Sequence, residues 1–513
     1  MIHNIIKKNS YFDSVTLMLF SSKLNDVEGV TQAAVMMGTD HNKALMISSG
    51  VLEEAQQESI TANDLVIGIV AQSQDVVDAA IAVLDAQFDN KKDSSTNTGS
   101  KRVKHLDAAV KELPDLNLSV ISLPGRYAKS EALRCLNKDI HVMLFSDNIS
   151  VEEENELKEL AIEKGLLMMG PDCGTAIING VALGFANKVR RGNIGLTAAS
   201  GTGLQEVTVI IDKLGGGISQ ALGTGGRDLK EAIGGKMMLL TLEALAHDDQ
   251  TDVIGIISKP PSPQVMEKIV AAASTIEKPI VACFLGGDLA VFKGTNITGV
   301  ATLEEAAHAL VKVSQKEPYQ GLANSPLAFD TTPLLDALSA SKGTDLRALY
   351  TGGTLAYESL LILSDHLDAV YSNIAVDPTY ALKDPETSQG HTVLDMGEDY
   401  FTNGKPHPMI DPESRAKRIV EEAQDPSTSV LLLDCVLGYG SHDNPAASIV
   451  KAVNTVKTTR QDIVFVASVT GTESDPQNLK QTETALKEAG VVVLPTNAQA
   501  ATFALEVLKK RGA

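Results

Sequence analysis

Residues 193–206 read NIGLTAASGTGLQE. The apolar run Ile194-Gly195-Leu196 reads as a buried strand. It breaks into Ala199-Ser200-Gly201-Thr202-Gly203, and a helical pattern begins at Leu204. A strand that turns through glycines directly into a helix leaves several backbone N–H groups without partners. With the positive end of the helix dipole, those groups make an anion site suited to phosphate. No lysine of the Walker type follows, so this is not a P-loop nucleotide site. A tight βα turn with a Ser or Thr cap fits the same residues.

The scheme extends outward in both directions. C-terminal to this stretch, 218–222 reads as a strand leading into Gly223-Thr224-Gly225-Gly226-Arg227-Asp228. Helices over 237–246, 263–275 and 302–313 then alternate with strands over 253–258 and 279–285. A proline-bearing connector, 314–333, separates this unit from a third. There, strand 346–350 enters Thr351-Gly352-Gly353-Thr354 and a helix over 355–364. Strands 430–435, 463–469 and 491–494 follow, with helices from 445 and over 499–509. Strand, glycine loop and helix thus occur at Ser200-Gly201-Thr202 and again at Gly352-Gly353-Thr354, which reads as an internal repeat.

N-terminal to 193, strands at 118–123, 141–146 and 166–169 alternate with helices at 127–136 and 151–164. That order marks a Rossmann-like parallel sheet. Residues 1–88 also alternate, with strands at 1–7, 33–37 and 65–70 and helices at 13–24, 42–47 and 74–88. Lys43 there reads as a solvated helix residue. The polar stretch 89–102, DNKKDSSTNTGSKR, reads as a mobile linker. The expected fold is α/β throughout: an N-terminal region 1–103, a Rossmann-like domain 104–190, and two flavodoxin-like domains at 191–318 and 333–513.

The 513 residues carry a net charge of -21 and no tryptophan, which disfavours nucleic acid and anionic membranes as partners. No signal peptide and no membrane span is read, and the four cysteines stand far apart without a CxxC pair. A reduced, cytoplasmic setting is expected, with no metal cluster.

Several longer motifs resemble a known family. MGPDCGTAI (169–177), NIGLTAASGTGLQE and LGTGGRDL (222–229) resemble the α-subunit of succinyl-CoA synthetase. LLLDCVLGYGSHDNPAASIV (431–450) and VASVTGTESDPQNLKQTETALKEAG (466–490) resemble the ligase domain of its β-subunit. Over essentially the whole chain, the sequence is identified as a member of the FdrA family of acyl-CoA-synthetase-like proteins. The motifs are MMGTDHNKAL (36–45), FSDNISVEEENELKELAIEKGLLMMGPDCGT (145–175), SKPP (258–261), LYTGGTLAYES (349–359) and GKPHPMIDP (404–412).

In the ligase, two helix N-termini face a phosphorylated histidine. The resemblance places them at Ser200-Gly201-Thr202-Gly203 and Gly352-Gly353-Thr354, with Gly225 and Gly226 in a neighbouring phosphate loop. The histidine itself is missing: where the ligase has Gly-His-Ala-Gly, this chain reads GTNITGVATLEEA (294–306). Ser258-Lys259-Pro260-Pro261 replaces the stretch carrying the ligase's histidine-orienting glutamate, and no ATP-grasp domain is evident. The family resemblance implies a component of oxamate carbamoyltransferase, with phosphate as a substrate, no required cofactor and CoA as an optional ligand. It also implies a small anionic substrate, partner subunits from the same operon and an oligomer. An acyl-CoA synthetase and a non-catalytic scaffold are the alternatives.

Lys259 and Arg227 are candidates to neutralise phosphate or an oxalyl carboxylate. His407 and His442 lie in glycine- or proline-bearing loops, where either serves as acid or nucleophile or simply bonds backbone. His247 reads as a helix-end residue and Cys173 as a buried thiol. Asp395 with Glu398 and Asp399, or Asp411 with Glu413, falls short of a complete oxygen-ligand set for a metal.

Overall fold

In β17, Thr428–Val436, all nine residues are buried. A strand covered on both faces belongs in the middle of a parallel sheet flanked by helices. The structure is a computed structural model that describes residues 2–10, 12, 14–25, 27–97, 103, 105–323, 325–338, 343–402 and 405–512. It divides into two compact units: Met1–Val103 with Phe401–Asp411, and Lys104–Tyr400 with Pro412–Ala513.

The first unit contains β1 (Ile2–Lys7), α1 (Ser14–Asn25), β2 (Val30–Met37), α2 (Asp40–Ser48), β3 (Leu65–Ala71) and α3 (Gln74–Asn97). The sheet has order β1-β3-β2 and is antiparallel. Side chains alternate along β3. Leu65, Ile67 and Ile69 pack with Leu17, Phe20 and Leu24 of α1 and Val77 and Leu84 of α3. Val66 points the other way, onto Met46 of α2. The linker expected over 89–102 differs: α3 continues to Asn97, and 98–102 lie outside the described residues. A polar stretch carries no apolar stripe to announce a helix, yet extending an existing helix avoids the nucleation cost. Lys43 is buried, with its ammonium on the Ile60 carbonyl at 3.2 Å and on Asp40 at 2.9 Å.

The second unit opens with α4 (Leu106–Glu112), β4 (Leu118–Ile121), α5 (Gly125–Leu136), β5 (His141–Leu144), α6 (Val151–Glu163) and β6 (Met168–Met169). Its three strands form the expected parallel sheet, β4-β5-β6. Ser150 and Glu153 close a capping box at the start of α6.

The next sheet is built from β7 (Thr175–Ile178), β8 (Val181–Gly184), β9 (Arg191–Ala198), β10 (Ile218–Gly223), β11 (Val253–Ser258), β12 (Ile280–Phe284) and β13 (Ile297–Val300). Its helices are α7 (Gly201–Lys213), α8 (Lys236–His247), α9 (Pro263–Ala273) and α10 (Leu303–Ser314). The order is β13-β12-β11-β9-β10-β7-β8, and β9 to β13 are parallel. The five parallel strands thus run 2-1-3-4-5, the flavodoxin-like order. The hairpin β7–β8 adds an antiparallel edge on β10, so residues 175–184 join this sheet.

After α11 (Thr332–Asp336) comes the last sheet, with β14 (Asp345–Tyr350), β15 (Val370–Ser372), β16 (His391–Asp395), β17, β18 (Val464–Thr470) and β19 (Val492–Leu494). Its helices are α12 (Gly353–Ser364), α13 (Asp399–Thr402), α14 (Glu413–Glu422), α15 (Pro445–Lys457), α16 (Leu479–Glu488) and α17 (Asn497–Arg511). The order is β15-β16-β14-β17-β18-β19, all parallel. In both sheets the first strand sits centrally, and the next strands fall on either side of it. The loop leaving that strand therefore lies at the switch point, the usual ligand crevice of an open α/β sheet.

Candidate functional site

The loops leaving β9 and β14 meet. Ser200 caps α7, accepting the Gly203 N–H at 3.2 Å. Its hydroxyl is 2.7 Å from the hydroxyl of Thr354, in the first turn of α12. Thr354 N–H donates in turn to the Thr202 hydroxyl at 3.2 Å. The two helix N-termini expected to face one another do so, closely enough to bond directly. Gly203 and Gly352 make this approach possible. A Cβ on Gly203 would come within 2.9 Å of Thr354, and one on Gly352 within 3.0 Å of Thr202. Among the described residues, the N–H groups of Gly201, Thr202 and Gly353 donate to nothing.

Strand register brings further residues to the same edges. Ala198 pairs with Gly223 on one side and with Ile257 on the other, so the 223–227 loop and Lys259 flank the Ser200 loop. Lys259 places its ammonium 4.5 Å from the ring centre of Tyr357 on α12. Burial around that ammonium pulls its pKa down, against the attraction of Asp395, although the side chain keeps solvent access. On the other sheet, Tyr350 pairs with Asp395 and Leu349 with Leu433, which lines Asp395 and Asp434 up beside the Thr351 loop.

Asp434 changes the reading of that second loop. Its carboxylate accepts the Thr351 N–H at 2.9 Å, the Gly352 N–H at 2.8 Å and the Thr351 hydroxyl at 3.0 Å. It also forms a buried ion pair with Arg415 at 2.5 Å. The protein thus supplies its own anion to the Gly352 N–H, which the sequence assigns to phosphate, and to its neighbour Thr351, while the Gly353 N–H stays open. Sequence reasoning missed Asp434, although one charged residue inside LLLDCV was a signal, because a buried carboxylate needs partners.

Asp395 is the second residue missed in this role. It is 8% exposed, and its Oδ1 accepts the Gly397 N–H at 2.9 Å. Its Oδ2 lies 2.3 Å from where a Gly353 Cβ would stand. Burial pushes its pKa up to about 7, with Glu398 and Asp434 adding and Lys259 opposing.

The remaining candidates scatter. Arg227 donates through Nε to Glu154 at 3.0 Å and through Nη2 to the Ile149 carbonyl at 2.7 Å, which ties its loop to the Rossmann-like domain. Lys158 fastens the same loop from the same side, on the Thr224 carbonyl, Glu154 and Asp228. Gly225, at φ +92°, packs on the Pro171 carbonyl, and Gly226 lies by Asp172. Asp172 stands at the solvent, yet its desolvated surroundings, with Asp147 and Asp399, push its pKa up to about 6. His407 belongs to the first unit, where its Nδ1 accepts the Met409 N–H at 3.2 Å. His442 Nδ1 accepts the Asn444 N–H at 3.0 Å, and His247 Nδ1 meets the Glu243 carbonyl at 2.9 Å. Cys173 is buried, as expected, and burial pushes its thiol up to about 12, the setting of a packed thiol. Among the described residues no three His, Cys, Asp or Glu side chains group as a metal site, and no helix is long and apolar enough to cross a membrane.

Two family descriptions match this chain: CoA-ligase over residues 349–507, and AllF, heavy metal-associated domain, over residues 1–104. Residues 1–104 hold no cysteine, so a thiolate metal site is not available there. The uncharacterized protein YahF of Escherichia coli (strain K12) is 43% identical over 513 residues, 99% of this chain and 98% of the relative. The α-subunit of ADP-forming succinate–CoA ligase from Methanothermobacter thermautotrophicus is 27% identical over 181 residues, 35% of this chain and 60% of that one. A solved structure of dinucleotide-forming acetyl-coenzyme A synthetase 1 from Ca. Korarchaeum cryptofilum, in its apo form, aligns with 78% of this chain and 84% of its own. Its TM-score is 0.34 and its identity 18%.

Proposed function

This chain belongs to the FdrA family of the succinyl-CoA synthetase superfamily, and from that premise we propose that it is a component of a carbamoyltransferase. The reaction moves the carbamoyl group of oxalurate to phosphate, giving oxamate and carbamoyl phosphate. The observation that carries this reading is the pair of helix N-termini at Ser200 and Thr354, with free N–H groups on Gly201, Thr202 and Gly353, in a chain whose 294–306 stretch lacks histidine. Such a cradle suits a mobile phosphate, and the stretch that carries the ligase's phosphorylated histidine has none here. Phosphate held there attacks the carbamoyl carbon directly, the N–H groups steady the developing oxyanion, and Lys259 offsets the dianion's charge. Arg227 acts one step removed, by holding the Gly225-Gly226 loop. Partner subunits from the same operon complete the active assembly.

The CoA-ligase match at 349–507 favours a second reading, an acyl-CoA synthetase that takes CoA on the Rossmann-like domain. The two separate in one assay. The purified protein, alone and with its operon-encoded partners, is given oxalurate and phosphate and followed by phosphorus NMR. Carbamoyl phosphate supports the transferase, and no turnover with any partner set overturns it. CoA- and ATP-dependent thioester formation selects the synthetase.

A further inference from the structure

Asp395 is a buried carboxylate fixed by its own strand's neighbours. Asn373 clamps its backbone from both directions, donating to the Asp395 carbonyl at 2.8 Å and accepting its N–H at 3.0 Å. Oδ1 is occupied by Gly397 N–H, whereas Oδ2 has no hydrogen-bond donor among the described residues and faces Gly353. The charged groups around it come from every neighbouring element: Lys259 after β11, Glu398 in its own loop and Asp434 on β17. Lys230 acts on Lys259. Arg415 is already paired with Asp434. Burial, with two carboxylates, outweighs the Gly397 hydrogen bond and Lys259, and pushes the pKa up to about 7. A carboxyl that burial makes easy to protonate therefore packs on Gly353, in the first turn of α12.

We propose that Asp395 is the catalytic acid of this site: it gives a proton to the departing nitrogen when the carbamoyl C–N bond breaks. The inference rests on the carbamoyl transfer proposed above. A phosphate oxygen forms the new bond to the carbamoyl carbon. The C–N electron pair leaves with the oxamate nitrogen, and that nitrogen takes the Asp395 proton. The carboxylate is reloaded by the proton that monohydrogen phosphate loses as it becomes the mixed anhydride. Atoms and charge then balance with no other reactant: oxalurate and HPO4 dianion give oxamate and carbamoyl phosphate dianion. Oxamate's amide anion is too basic to leave unaided, so an acid tuned near working pH is what this step requires.

The test uses the full assembly and two carbamoyl donors: oxalurate, whose leaving nitrogen needs a proton, and 4-nitrophenyl carbamate, whose phenolate does not. Asp395→Asn is expected to lose about 10²–10⁴-fold in kcat with oxalurate, to change less than about tenfold with the nitrophenyl ester, and to lose the decline in kcat above pH 7. Asp395→Glu should recover part of the oxalurate activity. Equal losses with both donors, or wild-type kcat in Asp395→Asn, overturn the assignment while leaving the transferase intact. Wild-type protein that makes no carbamoyl phosphate from oxalurate overturns the transferase, and this inference falls with it.

Discussion

The carboxylate of Glu358, on α12, accepts the N–H of Leu303, the first residue of α10, at 2.8 Å. The contact crosses from one ligase-type sheet to the other. Its counterpart runs the opposite way: Glu206, on α7, accepts the N–H of Asn497, the first residue of α17, at 3.0 Å. Each cradle helix thus caps a helix of the other domain, and the glutamate stands six residues after Ser200 in one copy and after Gly352 in the other. The exchange locks the two domains in the arrangement that joins the Ser200 and Thr354 hydroxyls.

Glu358→Ala should therefore be costly. It leaves the Leu303 N–H without an acceptor in a buried seam and takes from the Asn497 amide one of its acceptors, at 2.8 Å, while the Leu355 carbonyl and Ser359 hydroxyl remain. One unsatisfied buried N–H costs about 1–3 kcal/mol, and a loss of that size is expected. Urea unfolding followed by circular dichroism reads it, and a change below about 1 kcal/mol contradicts the seam.

Stability should also depend on pH through this residue. Burial raises the Glu358 pKa from 4.5 to about 7. A raised folded-state pKa contributes stability that is fully present below the unfolded value, near 4.5, and lost as pH rises through 7. A shift of that size is worth about 3 kcal/mol. The wild-type advantage over Glu358→Gln should shrink by up to that amount between pH 5 and pH 8. A gap that stays constant over this range refutes the linkage.

The two cradle glycines should respond differently. A Cβ on Gly353 would meet Asp395 Oδ2 at 2.3 Å, whereas one on Gly201 meets only the Thr175 hydroxyl, at 3.5 Å. Gly353→Ala should cost about 1–3 kcal/mol by displacing the carboxyl. Gly201→Val should fold with near wild-type stability and bind phosphate at least tenfold more weakly by calorimetry. Unchanged phosphate affinity in Gly201→Val rejects the cradle.

Asp434→Asn strips the charge from a pair in which Arg415 is 2% exposed and Asp434 fully buried. Leaving Arg415 without its counter-ion should cost about 3–5 kcal/mol and release the Thr351 loop. Thermal unfolding measures the loss. A variant as stable as wild type would show that the loop holds itself.

Much of the fold was legible because its signals are local. The apolar runs at 253–258 and 280–284 and the glycines at 201, 225 and 352 each announce a strand or its end within a few residues. His391–Asp395 escaped, being short and beginning on His and Thr with no long apolar run to mark it. So did the hairpin Thr175–Gly184, whose place is decided by pairing with a strand some forty residues on. At the site, Lys259 was legible as a strand-end lysine. Asp395 looked like one of several turn carboxylates, because its burial depends on neighbours from three other elements.

By itself the sequence determined the parallel α/β sheets, the glycine loops at their carboxyl edges and the missing histidine, since these are properties of residue type and short spacing. Only the tertiary structure decided who occupies those loops. Asp434 reaches Gly352 across 82 positions, Ser200 reaches Thr354 across 154, and Glu206 reaches Asn497 across 291. A hydrogen bond requires atoms about 3 Å apart. At such separations that distance is set by how sheets and helices pack, and no local pattern of residues records it.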